Sequence, residues 1–401
     1  MRIIINECKK ILDIRIILLL CMFSILYYMT FTQIYRYPTG GQVTNTKYDI
    51  PFTAELVKEW GPKWKVKDEK QYQEKHQELE RGFAKIIKQD QELSKRGIVD
   101  YEIFNKKYEE LGQKTALSKQ EKELDKILEN YVFYNDKTSK IFLDIQALEH
   151  IREFQGSEYG VSDKKYKELK ADGFFDGTKL YQKAIKKRVK RDYISLVHEG
   201  VFYILQEDMV TIGGLIMICF FALIIPYQLK QRLRQVIPIL ATTKTGRRIY
   251  QIQLIASALA ALFVGILQMA VYGIVWHLKG LSVFWRCESW GIASNSYWCD
   301  KLSFGTYMLL YMALILLFAI ASIVIIEFIG RTIGNYMGAV AVSIPVCGVM
   351  MFLMRKIYYM LFLITNDQVL AYWELYALAT WLIVMLLFYK IRSKRWKKVD
   401  L

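Results

Sequence analysis

The side chains in this sequence that could hold a metal or carry redox chemistry are few and scattered. Four histidines (His76, His150, His198, His277) and six cysteines occur, with no CxxC or HExxH among them. A zinc or thiol–disulfide centre therefore has no ligand set at a workable spacing. No GxxxxGK[ST] run is present either, so the chain has no P-loop with which to cradle nucleotide phosphates. A more telling constellation is a loop at 230–249. It carries Lys230, Arg232, Arg234, Lys244, Arg247 and Arg248 with no acid, a break at Pro238 and a Thr243-Lys244-Thr245-Gly246-Arg247 turn. Arginines beside a fixed turn suit docking to an acidic protein surface. The same charges could serve only to orient the chain in a membrane, and charge by itself does not choose between the two.

The elements that must position this loop are legible from the distribution of apolar residues. Of 401 residues, 53% are apolar and 14% aromatic. The apolar residues gather at the two ends of the chain, leaving a charged block at 36–207. Six prolines argue against a Pro-rich linker or a disordered chain. A helix needs about 20 apolar residues to cross a hydrocarbon core, because its backbone must be hydrogen-bonded internally. Six stretches qualify: 16–35, 209–229, 249–276, 304–329, 332–354 and 370–389. The expected fold class is an all-α integral membrane protein with six transmembrane helices and a mainly helical extracellular domain inserted after the first. The expected domains are 1–35 (interfacial helix and first span), 36–207 (outer domain) and 208–401 (the remaining spans, with the basic loop and a basic tail).

Orientation follows from lysine and arginine in the short segments. The N-terminal tail, the loop 230–249, Arg331 and the C-terminal tail carry 17 basic residues against Glu7, Asp13 and Asp400. The opposite segments, 277–303 and 355–369, carry five basic residues against three acids. Both termini are therefore expected in the cytoplasm of a bacterial cell, with 36–207 outside the plasma membrane. The insert is nearly balanced in charge, so most of the net +16 is a topology signal. No base-reading motif supports nucleic-acid binding. The first apolar run lacks a small-x-small cleavage site and reads as an uncleaved span. Ahead of it Ile4, Cys8, Ile11 and Leu12 share one helical face, as in a helix lying in the interface.

Within the insert, the segments 65–95, 100–130 and 163–197 are rich in Glu, Lys and Gln, which favour helix. Apolar residues recur at helical spacing, as in Leu79, Phe83, Ile86 and Ile87, and in Ile141, Ile145, Leu148 and Ile151. Turns are expected at 95–97, 156–157, 172–173 and 176–177, and a small hairpin near 43–52 stays open. The cluster Lys186-Lys187-Arg188-Val189-Lys190-Arg191 reads either as a contact for anionic headgroups or an acidic ligand, or as a solvated helix face.

Smaller features complete the reading. Cys287 and Cys299 lie in an outer loop with eleven residues between them, and either form a disulfide worth about 2–3 kcal/mol or stay free. Gly330, Gly334 and Gly338 form a doubled GxxxG, a groove for close helix approach within the chain or between two copies. Glu327 reads as an i,i+4 partner of Arg331 at the headgroup level or as an intramembrane functional acid. His277, Trp285, Trp290 and Trp298 mark an interface belt. The run 357–364 is too short to cross and suits a re-entrant hairpin or interfacial helix, with Asp367 and Glu374 facing water or a cavity.

The segment Ile239-Leu-Ala-Thr-Thr-Lys-Thr-Gly-Arg247 resembles the Thr-Lys-x-Gly-Arg region of type-2 ABC transporter permeases of low-GC bacteria. The layout is similar as well: Asn6-Glu7-Cys8-Lys9-Lys10 in an interfacial helix, a large outer insert opening with Glu55-Leu-Val-Lys-Glu-Trp-Gly61, six spans, and a re-entrant piece before the last. The chain departs from that family in having Gln231, Gln235 and Gln253 where Glu, Gly and Lys are common. The resemblance implies a non-enzymatic permease subunit of an exporter for a peptide or amphiphile. It also implies a separate ATPase subunit that carries ATP and Mg²⁺ and grips Arg234, Pro238, Thr243, Lys244, Gly246, Arg247 and Arg248, and a second permease chain, identical or related, in the same lipid membrane. No cofactor is expected on this chain. The rival expectation is a non-transporting sensor or scaffold whose outer domain binds a ligand or partner.

Overall fold

The computed structural model describes residues 2–37, 49–65, 68–158, 167, 171, 173, 176–189, 191, 193–233, 249–289, 301–365, 367 and 369–399. The chain opens with α1 (Arg2–Ile11), whose buried positions include Ile11, followed by α2 (Ile14–Phe31). Asp13 starts α2 by accepting from the Arg15 amide at 3.0 Å, an ordinary N-cap bond. The first span was expected to reach 35, but the helix stops at Thr32, which is extended and bonds its hydroxyl back to the Tyr28 carbonyl at 2.6 Å. A short helix, α3 (Gln33–Arg36), follows.

The insert contains α4 (Asp49–Trp60), β1 (Lys63–Lys65), α5 (Glu69–Ile87), α6 (Gln91–Lys95), α7 (Tyr101–Gly112), α8 (Lys119–Glu129), a π-turn at Asn130–Tyr134, α9 (Asp136–Glu158), α10 (Lys179–Val189) and β2 (Tyr193–Ser195). Asp90, Asp100 and Ser118 cap α6, α7 and α8 with their side chains, and Ser118 and Glu121 form a full capping box. The outer half has a core of its own, built on Phe83, Tyr101, Phe104, Leu128 and Phe142. There Phe83 meets Phe104 edge-to-face at 5.1 Å, the arrangement ring quadrupoles favour. The inner half, with Phe52, Leu56, Trp64, Leu148 and Ile194, is continuous with the core of the helix bundle.

Two short strands join the start and end of the insert: β1 pairs antiparallel with β2, with Trp64 opposite Ile194. Such short strands leave no alternating pattern long enough to read from sequence. Residues 49–52, where a hairpin stayed open, are in α4, and 43–48 lie outside the described residues. The turn expected at 156–157 is backbone helix, because α9 continues to Glu158.

The bundle consists of α2, α11 (Glu199–Leu233), α12 (Ile249–Leu278), α13 (Phe304–Thr332), α14 (Tyr336–Tyr358) and α15 (Trp373–Val399). These six are long and apolar enough to cross a membrane. α11 is the hub. Its most apolar stretch is 78% buried, against 17% for α2 and α15 and 22% for α14, and α2, α12, α13 and α14 all pack on it. Close approach depends on Gly213 and Gly214: a Cβ at Gly213 would meet the Met354 methyl at 2.6 Å, and one at Gly214 the Met351 methyl at 2.7 Å. The domain boundary expected at 207 falls inside α11. Its first turns carry buried Val201, Phe202 and Leu205, so the helix passes from insert to bundle without a break.

Of the run 357–364, Ile357 and Tyr358 close α14, and the described residues from 359 to 372 form no helix. They fold as turns, with Met360, Phe362 and Tyr372 at positive φ. The Tyr307 hydroxyl donates to the Leu361 carbonyl at 3.0 Å, and Leu361 and Phe362 are buried. Glu374 does not face water. It is buried and accepts from the Phe362 amide at 3.0 Å, while Asp367 is exposed.

Candidate functional site

One polar part of the bundle interior lies at the end that carries α1 and the last turns of α15. α1 lies across α12 and α11, with Cys8 Sγ 3.5 Å from the Ala256 carbonyl. Its Glu7 is buried. The Tyr227 hydroxyl donates to Glu7 Oε2, Gln231 Nε2 donates to the same oxygen at 3.4 Å, and Lys10 Nζ pairs with Oε1 at 2.5 Å. Sequence reading placed the apolar stripe of α1 but missed Glu7, which it counted only as a charge. The signal was available: Glu7 lies beside Cys8 and one turn before Ile11, on the edge of that stripe.

A second cluster adjoins the first. Arg331 pairs with Glu327 at 2.9 Å and donates from Nη2 to Gln253 Oε1 at 2.5 Å. Ser257 donates to the other oxygen of Glu327. The guanidinium lies 4.7 Å from the Tyr250 ring centre, and Tyr250 stacks on Tyr389 at 5.9 Å. The expected i,i+4 pair is therefore present, and it is almost wholly buried. Each charge has more than one partner, as a buried pair needs to offset desolvation.

Both roots of the basic loop are anchored in these clusters. On the α11 side, Arg232 Nη1 donates to the carbonyls of Arg331 (3.0 Å) and Thr332 (2.8 Å), closing the C-terminal end of α13. Gln228 is fully buried, and neither of its amide atoms has a hydrogen-bond partner among the described residues. On the α12 side, Tyr250 and Gln253 belong to the Arg331 cluster, and Gln251 donates to the Tyr389 hydroxyl at 3.2 Å. Arg392 on α15 reaches Thr332 Oγ1 at 3.3 Å. A displacement of the loop would therefore act on α1, α11, α12, α13 and α15 through directed polar contacts. The residues expected to dock a partner, Arg234, Pro238, Thr243, Lys244, Gly246, Arg247 and Arg248, lie outside the described residues.

The three glycines of the doubled GxxxG do not share one helix. Gly330 is in the last turn of α13, Gly334 in the connecting turn and Gly338 in the first turn of α14. A Cβ at Gly330 would come within 2.8 Å of Gln228 Cβ, so this glycine admits α11 within the same chain. Gly334 faces the Arg232 guanidinium at 3.8 Å, and Gly338 faces Asn335, which caps α14.

At the opposite end of the bundle, the 279–303 segment is tied to the insert. Lys63 Nζ pairs with Glu288 at 2.7 Å, the Tyr193 hydroxyl donates to Glu288 Oε2 at 3.0 Å, and Ser195 Oγ donates to the Glu288 carbonyl at 3.2 Å. Cys287 is buried with Sγ 3.5 Å from the Leu196 carbonyl, and burial pushes its thiol up to about 12. Cys299, Trp290 and Trp298 lie outside the described residues. His277 Nδ1 is 3.1 Å from Ser282 Oγ. Asp208, fully buried in α11, accepts from the Gln33 amide (2.5 Å) and the Ile34 amide (3.0 Å). It thus caps α3 from another helix, as a carboxylate at a helix N-terminus should. Of the basic cluster at 186–191, Lys186 is exposed on α10, and the side chains of 187–190 are not among those described.

Among the described residues, no group of three or more His, Cys, Asp or Glu side chains could hold a metal ion. The terminal-end clusters join charged, amide and hydroxyl side chains of several helices, which gives mechanical and electrostatic linkage between them. No family model matches the chain, and no curated protein or solved structure matches it.

Proposed function

We propose that this chain is the permease subunit of an ATP-driven exporter of the ABC type, oriented with both termini in the cytoplasm and residues 36–207 outside the cell. A separate ATPase subunit docks on the 230–249 loop, supplying ATP and Mg²⁺, and a second permease chain completes the pathway in the membrane. The observation that carries this reading is the anchoring of both loop roots in directed polar contacts at one end of the bundle, with the exposed Arg232 on one side and the buried Tyr250 and Gln253 on the other. Force applied to the loop would reach five helices at once. That suits a part whose task is to convert a partner's closure into a change of helix packing. The basic loop residues and the helical insert are in keeping with this reading. The proposed cargo is a peptide or amphiphile.

The test is co-purification of the full chain from its native membrane, with subunit identification and ATP turnover. A stoichiometric ATPase lost on combining Arg247→Glu with Gly246→Pro supports the reading. A complex that retains full ATP turnover with both substitutions, or that contains no ATP hydrolase, removes it and leaves a sensor or scaffold as the better description.

A further inference from the structure

A concavity in the membrane-length part of the bundle lies between α11 and α14 in the half nearer α1. It has a volume of about 430 Å³ and is lined by residues including Ala222, Ile225 and Pro226 of α11 and Tyr336, Ser343 and Gly348 of α14. It exists because Ala222, Ser343 and Gly348 are small where larger side chains would fill the space between two helices. Its walls are apolar in effect: the Ser343 hydroxyl is spent on the Ala339 carbonyl at 2.6 Å. Ile218, Ala222 and Ile225 follow helical spacing along one face of α11, and the next positions on that face toward the termini lead to Arg232. Six residues of helix separate Pro226 from Arg232, a rise of about 9 Å. The Arg232 guanidinium is exposed, held over the α13–α14 turn beside Gly334, with Nη1 on the Arg331 and Thr332 carbonyls. Lys230, also exposed, stands in the same turn of α11.

An apolar slot with an exposed cation about 9 Å further along the same helix matches one class of molecule: an anionic phospholipid, with an acyl chain in the slot and its phosphate at the arginine. We propose that the α11–α14 groove is a binding site for one such lipid from the leaflet on the terminal side, with Arg232 as the headgroup residue. The inference requires that the six helices lie in a bilayer, and it is independent of the docking of any ATPase. Because Arg232 also holds the end of α13, occupancy of the site bears directly on the polar layer at the loop roots.

The experiment is native mass spectrometry and thermal unfolding of the full chain in mild detergent. The chain is first delipidated and then titrated with phosphatidylglycerol or phosphatidylcholine of matched acyl chains. Phosphatidylglycerol is expected to bind and stabilise at about fivefold lower concentration. Arg232→Gln should erase that preference, and Arg232→Lys should restore most of it. Ala222→Phe should remove binding of both lipids. Ser343→Leu fills the same slot from the other helix, and serves if Ala222→Phe does not give a monodisperse protein. Equal affinity for the two lipids, or lipid binding unchanged by either slot-filling variant, overturns the proposal. So does efficient disulfide formation between two copies carrying Ile344→Cys, which would make the groove an interface between chains.

Discussion

Tyr227 and Glu7, 220 positions apart in the chain, share a hydrogen bond inside the bundle that fastens the first helix to the central one. A helix of ten residues has little stability alone, so α1 owes its position to this contact and to the burial of Ile11. In a Tyr227→Phe and Glu7→Gln double-mutant cycle, the coupling should be about 1.5–3 kcal/mol, the range for a hydrogen bond to a charged group. It is measured by reversible unfolding in detergent, and additive effects of the two changes would contradict the assignment.

The Glu327–Arg331 pair should behave as buried charge. Arg331→Met alone leaves the Glu327 carboxylate uncompensated and should cost about 3–5 kcal/mol. Pairing it with Glu327→Leu should recover most of that loss. If instead the single substitution is silent in thermal unfolding, the pair is solvated and the burial seen here is wrong.

Gly305 lies under the Trp285 indole, where a Cβ would come within 2.3 Å of the ring. Gly305→Ala should therefore destabilise by about 1–3 kcal/mol through overpacking. In a Trp285→Ala background the same change should cost much less. Equal penalties in both backgrounds, by unfolding midpoints, would show that the two residues do not touch.

His198 precedes α11 and accepts from the Gly200 amide through Nδ1 at 3.0 Å. Burial, with His150 nearby, pushes its pKa down to about 4, below the ordinary value of about 6.5. The unfolded chain therefore takes up this proton first as pH falls. The contribution is complete above about pH 6.5 and declines between there and about pH 4, by at most about 3 kcal/mol. His198→Asn keeps an acceptor at the cap and should flatten that part of the stability–pH curve. Identical curves for the two proteins would rule the histidine out as the source.

Hydropathy and helical spacing alone determined the six apolar helices, the helical insert and the amphipathic stripe of α1. These depend on properties of short windows: enough apolar residues to span, and a period that gathers them on one face. The pairing of β1 with β2, the burial of Glu7 and Glu374, the capping of α3 by Asp208 and the end of the first span at Thr32 were decided only by tertiary structure. In each case the deciding partner is distant in sequence or its effect is local geometry, as with Asp208, which reaches an amide 174 positions away. Local sequence could place the Glu327–Arg331 pair at i,i+4. Whether that pair met water or the interior was settled by Gln253, Ser257 and Tyr250 on another helix, because burial of a charge is a property of everything packed around it.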